Sequence, residues 1–327
     1  MSKEGLKTAI LQLPEQFAWH PAVKNEVRLP LNYESVVACG MGGSSLTALL
    51  VRDLHPMVPI LVHRDYGLPD STEVDLERSL IIVSSFSGNT EEALSAFEEA
   101  RQKNLSVAAL SAGGKLLQMA HENSIPYIKL PDPGVQTNHA LGLYVIAFLQ
   151  LLKEESLLTE ARDLALTLFP LEHENAGRQL AQRLVDKTVH IYASWRNEAL
   201  AYNWKIRLDE SGKILTSCNF FPELNHGEIE AVCATALRGS SGNSYFLFLQ
   251  DPDEDPRVAK RMAITAQLYQ EKGLSVETVD LSGATKLERF FSSTILADWT
   301  TYYLALHYDH DPEVASFVEE FKERMSL

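Results

Sequence analysis

Cysteine is scarce in this chain: Cys39, Cys218 and Cys233 are the three among 327 residues, and no two stand in a CxxC spacing. That argues against a disulfide framework and a thiolate metal site, and the expected role is reduced and structural. Clustered positive charge is missing too. Lys and Arg number 29 against 44 Asp and Glu, a formal net charge of −15, and no segment gathers the cations together. A nucleic-acid partner needs a basic face from which counterions are displaced, so none is expected. No apolar run reaches the ~20 residues that span a bilayer, and the first residues lack a basic-then-apolar signal pattern. No membrane partner is expected, and the cytoplasm is the default location. Low-complexity tracts are absent as well.

What is present is ordinary globular composition, 45% hydrophobic and 22% charged, in a length that suits two domains of about 150 residues each. After a helical lead-in over 1–30, broken at Pro21 and Pro30, apolar strands alternate with amphipathic helices. Strands are expected at 35–39, 60–63, 80–84, 106–110 and 127–130, and helices at 45–53, 90–103, 114–122 and 139–153. Uninterrupted apolar strands separated by helices predict a parallel sheet of about five strands, covered on both faces. Residues 154–186 carry no strand pattern and read as two connecting helices with Pro170 between them. A second α/β series follows, with strands at 189–193, 245–250 and 275–279 and helices at 195–209, 256–271 and 287–306. Asp311–Pro312 reads as a cap and first-turn proline of a last helix running to about Lys322. The domains are therefore drawn as 1–153, a connector 154–186, and 187–327.

Two strand-to-helix turns stand out. Ser84–Thr90 (SSFSGNT) follows the apolar run Leu80–Val83 and precedes the first helical turn Glu91–Leu94, with Thr90 placed to cap it. Its hydroxyls and the N–H groups at a helix start suit a phosphate without any lysine or arginine. The other turn, Gly40–Ser45 (GMGGSS), lets a ligand approach the main chain where Cβ atoms are missing. It has neither the spacing of a dinucleotide fingerprint nor the lysine of a P-loop. Ser85, Ser87 and Thr90, with Gly43 and Ser44 as backbone donors, are the candidate phosphate-binding residues. Asn89 is expected to hold the turn, and Arg64 lies near the same edge.

GMGGSS, VHRDYGLP (Val62–Pro69), SSFSGNTEEAL and LSAGGKL (Leu110–Leu116) together resemble the first half of the bifunctional phosphoglucose/phosphomannose isomerases, enzymes built from two sugar-isomerase (SIS) domains. The second half agrees. Glu210, in the run Lys205–Lys213, falls at the family's base position, with Asp209 where asparagine is usual. Two carboxylates facing one site would raise the pKa of one of them. Phe221–Gly227 (FPELNHG) matches FPELNHN except for its last residue and places His226 as the ring-opening acid/base. In related enzymes this histidine reaches the neighbouring subunit's site, which implies a homodimer. Lys322, in Phe321–Met325, matches a C-terminal LKxxL helix whose lysine assists ring opening.

The resemblance implies two SIS-type three-layer α/β domains, each around a mainly parallel sheet of about five strands, and aldose–ketose isomerisation of glucose 6-phosphate and fructose 6-phosphate, extending to mannose 6-phosphate. The route is a cis-enediol(ate), needing a base, ring-opening groups and donors to the enediolate oxygens, with no metal or other cofactor. One departure stands out. The family's QPRxALG arginine is replaced here, in Gln136–Gly142 (QTNHALG), by Asn138, with His139 beside it as the other enediolate-facing candidate. That loss supplies the alternative reading, a sugar-phosphate-binding SIS protein without catalysis or with weak activity.

Overall fold

A computed structural model describes residues 4–30, 32–54, 59–70, 74–132, 137–239, 242–312 and 314–325, with the backbone alone for Glu4, Thr137 and Asn138. The chain divides into two units, Gln12–Leu168 and Met1–Leu11 with Phe169–Leu327.

After α1 (Glu4–Phe17), the first unit runs β1 (Ser35–Cys39), α2 (Gly42–Leu54), β2 (Ile60–His63), β3 (Ser79–Ser84), α3 (Glu91–Gln102), β4 (Ser106–Ser111), α4 (Gly114–Glu122), β5 (Tyr127–Lys129), α5 (Leu141–Leu152) and α6 (Glu155–Thr167). Its five strands are parallel, in the order β2-β1-β3-β4-β5. Alternate strand residues take opposite faces. Val37, Cys39, Ile81, Val83, Val107 and Ala109 pack on Ala93, Phe97 and Ala100 of α3 and Leu116 and Ala120 of α4. The other face lies under α2 and α5, which pack together. Every residue of β1 and β3 is buried, and burial on both faces is why these strands read as unbroken apolar runs.

The second unit runs α7 (Glu174–Leu184), β6 (Thr188–Ser194), α8 (Glu198–Glu210), β7 (Thr216–Phe221), α9 (Glu228–Leu237), β8 (Ser244–Gln250), α10 (Pro256–Glu271), β9 (Ser275–Asp280), α11 (Lys286–His307) and α12 (Ser316–Met325). Its four parallel strands are ordered β7-β6-β8-β9. One face packs on α9 and α10 through Tyr192, Phe246, Phe248, Met262 and Tyr269. On the α8 side, α11 packs against both α7 and α8. The layer between α8 and α11 is polar. Arg207 Nε meets Asp298 Oδ1 at 2.6 Å with both side chains buried, Asn203 donates to Thr294 Oγ1 at 2.7 Å, and Trp204 donates to Ser293 Oγ at 2.9 Å.

The fold class is the expected one, two parallel α/β sheets under helices. The second sheet departs from the sequence reading in detail. It has four strands, and β7 and α9 fall in a stretch for which no element was expected. β7 is an edge strand, paired with β6 alone, and carries exposed Ser217 among its residues. Its sequence TSCNFF lacks the apolar continuity that flags a buried strand. The last helix also differs, starting at Ser316, so Pro312 precedes it instead of opening it.

Candidate functional site

In a doubly wound sheet ligands bind outside the carboxyl ends of the strands, where the strand order reverses. In the first unit that point lies between β1 and β3. The two turns singled out in the sequence leave those two strands side by side. They run close enough at Gly40 that a Cβ there would sit 2.8 Å from the Ser84 carbonyl oxygen. The turn after β3 closes on itself. The buried Ser85 hydroxyl hydrogen-bonds the Thr90 hydroxyl at 2.8 Å and accepts the Gly88 N–H at 3.1 Å, while exposed Ser87 accepts the Asn89 N–H at 3.2 Å. Thr90 occupies the cap position of α3 but makes no side-chain capping bond, its hydroxyl being turned to Ser85. Asn89 holds the turn, its amide oxygen accepting the Lys115 N–H at 3.2 Å. Gly88 has φ 69°, and a Cβ there would fall 1.9 Å from the Gly113 carbonyl oxygen. The turn after β4 thus braces the turn after β3.

Across the switch point, the Ser44 N–H closes the turn onto Met41 at 3.0 Å and its hydroxyl meets the Tyr144 hydroxyl at 2.9 Å. Burial holds the Tyr144 phenol well above its usual range, so it stays neutral. Arg64, at the end of β2, donates from Nε to Ser45 Oγ at 2.9 Å, and Ser45 donates on to the Gly42 carbonyl at 2.9 Å. A guanidinium is thereby fixed against the first turn of α2, where the helix dipole already favours an anion. His139 is buried in a 3-10 turn, Thr137–Ala140, that packs on α2. The Asn138 side chain lies outside the described residues. Gln16 of α1 clamps this turn, donating to the His139 carbonyl at 2.7 Å and accepting the Leu143 N–H at 3.3 Å. Nothing in the sequence marked Gln16, a single amide in a helical lead-in.

The second unit holds the other candidates. Glu210 is exposed at the last residue of α8. Asp209 does not join it as a second site carboxylate. It pairs with Lys205 and accepts the Thr216 N–H at 2.9 Å, tying α8 to the start of β7. Lys213 donates to the carbonyls of Glu210 and Val314 at 2.5 and 2.6 Å, which fastens the approach to α12 beside the end of α8. Burial lowers the Lys213 pKa, with Glu210 and Asp311 opposing. Lys322 is exposed on α12 and pairs with Glu319 at 2.7 Å.

His226 is exposed at the end of the 3-10 turn Glu223–His226 that follows β7, and Glu223 is exposed with it. The turn is pinned on both sides. Asn225 donates to Thr265 Oγ1 of α10 at 2.8 Å, and Glu228 accepts from Tyr192 and Asn219. Glu210 therefore precedes β7 and His226 follows it, at opposite ends of a six-residue strand that spans roughly 17–20 Å.

Residues 173–325 match the bacterial phospho-glucose isomerase C-terminal SIS domain. Over nearly the whole chain, a bifunctional phosphoglucose/phosphomannose isomerase of Caldicellulosiruptor bescii is 30% identical, covering 97% of this chain and 98% of its own. One of Thermoplasma acidophilum is 31% identical over 90% of each chain. The chain belongs to the bifunctional phosphoglucose/phosphomannose isomerase family. The fold likeness is wider. The C-terminal domain of glucosamine-fructose-6-phosphate aminotransferase from Francisella tularensis superposes with a TM-score of 0.68 at 15% identity, covering 94% of this chain and 97% of that one.

In this family member the two units treat their switch points differently. Between β6 and β8 the second unit places the acidic loop after β8, and buried Arg289 fills it, meeting Asp251 at 3.3 Å and Asp253 at 2.5 Å. A phosphate there would meet carboxylates, whereas the first unit offers hydroxyls, a helix start and Arg64. Among the described residues, no group of three His, Cys, Asp or Glu is placed to hold a metal, and no helix is long and apolar enough to cross a membrane.

Proposed function

We propose that this protein interconverts glucose 6-phosphate and fructose 6-phosphate, and accepts mannose 6-phosphate, by proton transfer between C1 and C2 through a cis-enediol(ate). The phosphate rests on Ser85, Ser87 and Thr90 and on the α2 start at Gly43 and Ser44. Glu210 carries the proton from one carbon to its neighbour, His226 and Lys322 open the ring, and Asn138 with His139 faces the enediolate oxygens. These groups supply the acid, the base and the donors, so the chemistry calls for no metal or other cofactor. The observation that carries the reading is the meeting of two hydroxyl- and glycine-lined turns at the first unit's switch point, in a member of this family.

The position of His226 adds a requirement. A proton-transfer partner must come within hydrogen-bond reach of the substrate, and Glu210 and His226 are separated by the length of β7. The reading therefore takes His226 from a second copy, in a homodimer whose sites are shared. Three free cysteines, with the buried Cys39 thiol pushed up to about 12 by desolvation and Glu99, fit a reducing cytoplasm.

A coupled isomerase assay with each of the three sugar phosphates tests the proposal. Turnover by the wild type that falls about 10²–10⁴-fold in Glu210→Gln is the expected result for a lost general base. Equal rates in the two proteins, or none on any of the three sugars, would remove it.

A further inference from the structure

α5 opens without a cap of its own. Ala140 stands at its N-cap position and has no side-chain oxygen to accept a main-chain N–H from the first turn. Gln16, in the last turn of α1, supplies that acceptor from 127 positions away. Its amide oxygen takes the N–H of Leu143, the third residue of α5, which is a donor that an N-cap side chain ordinarily satisfies. Its amide nitrogen donates at 2.7 Å to the carbonyl of His139, inside the Thr137–Ala140 turn. One half-buried side chain thus holds both the helix start and the turn that leads into it.

The surroundings are shaped to this amide. A Cβ on Gly142 would stand 2.9 Å from both Cβ and Oε1 of Gln16, so glycine at 142 is what lets α1 and α5 approach here. Leu13 and Phe17, one turn apart on α1, are buried and fix the end of the helix that carries Gln16. A different residue ties α5 to the phosphate turns. The Tyr144 hydroxyl meets Ser44 Oγ at 2.9 Å, and its ring lies 6.2 Å from that of Phe86 in the turn after β3.

We propose that Gln16 is a positioning residue for the isomerisation: by capping α5 from outside, it sets the turn that carries Asn138 and His139. This role rests on the assignment of those two residues to the enediolate oxygens, and extends it. Gln16 itself meets no substrate and acts through the turn. Because Tyr144 anchors α5 independently, loss of the amide leaves the phosphate grip in place and lets the 137–140 turn shift. Proton transfer is sensitive to such a shift, since misplacement by about 1 Å costs up to about 10²-fold in rate.

Steady-state kinetics with fructose 6-phosphate, and inhibition by inorganic phosphate, are compared in the wild type, Gln16→Met, Gln16→Glu and Glu210→Gln. Methionine removes both bonds at similar volume. An ionised glutamate keeps an acceptor at the start of α5, where the helix dipole favours it, but cannot donate to the His139 carbonyl. It therefore releases the turn alone, and it decides the matter where Gln16→Met does not fold. In both Gln16 variants kcat should fall about 10–100-fold, with the phosphate inhibition constant within about twofold of the wild type. A kcat within about twofold of the wild type in Gln16→Glu overturns the positioning role. So does a loss of kcat matched by an equal weakening of phosphate inhibition, which is what plain structural damage gives. In either case Glu210→Gln, if inactive, leaves the reading of the site standing. No turnover by the wild type, or Glu210→Gln as active as the wild type, removes the reading and the role of Gln16 with it.

Discussion

Ser85 makes two of the bonds that hold the phosphate turn, one to Thr90 and one from the Gly88 N–H. Ser85→Ala leaves the buried Gly88 N–H and the half-buried Thr90 hydroxyl without this partner, at a cost of about 1–3 kcal/mol. The loss falls on binding, because the phosphate is gripped equally before and during proton transfer. KM for fructose 6-phosphate is expected to rise about tenfold with kcat little changed, and inorganic phosphate should weaken as a competitive inhibitor by a similar factor. Steady-state kinetics with phosphate as inhibitor measures both. Asn138 calls for the opposite experiment. A neutral amide gives up roughly 1–2 kcal/mol per bond against a charged donor. Asn138→Arg should therefore raise kcat by about tenfold while leaving KM within about twofold. A fall in kcat would mean that His139 or Arg64 already supplies the charge. That this turn would be held by its own hydroxyls was legible, because serine and threonine before a helix start commonly bond nearby main-chain N–H groups. Gln16 and the Asp209 strap were not, since each depends on a partner far along the chain or on a strand that had gone unread.

At the scale of elements, the join between α8 and α11 decides how firmly Glu210 is held. Arg207 sits one turn before Glu210, and its side chain is 1% exposed against 4% for Asp298. Arg207→Leu strands a buried carboxylate and should cost about 3–5 kcal/mol, whereas the double change with Asp298→Leu should recover most of that. Urea denaturation of the three proteins tests it. Equal losses in single and double variants would show that the pair is not the source.

Glu277 on β9 gives a pH-dependent case. Burial pushes its pKa up, but the Arg183 and Tyr245 hydrogen bonds and the Arg183 charge outweigh that and leave it lowered. A depressed folded value means stability that is complete above the ordinary 4.5 and is lost as pH falls through the lower folded value. Because Arg183 is 45% exposed, screening limits the pair to about 1 kcal/mol. Glu277→Gln should lose that much stability at pH 7, and its deficit against the wild type should vanish in acid. A deficit independent of pH would contradict the assignment. The elements themselves were legible where burial is two-sided: β1, β3, β4, β6 and β8 stand out as apolar runs. β7 hid because it is an edge strand of mixed polarity, and with it went the reason Glu210 and His226 stand apart.

For the molecule as a whole, a charge of −15 repels an anionic sugar phosphate at long range, so the proposed binding needs the short-range donors at one switch point. The two units share a strand order over four strands but differ in what lies at that point, hydroxyls in one and an arginine among aspartates in the other. The alternation of strands and helices foretold a parallel sheet in each half, though not the fourth strand of the second. The difference was hidden, because Arg289 and Asp251 stand 38 positions apart in the chain.

The central claim is that Glu210 moves a proton between adjacent carbons of a phosphosugar, and proton NMR in D2O tests it most directly. With fructose 6-phosphate equilibrated on the wild type, deuterium should enter at C1 of the ketose and C2 of the aldose, and Glu210→Gln should slow its entry by at least about a hundredfold. Deuterium entering as fast with Glu210→Gln as with the wild type would contradict the account.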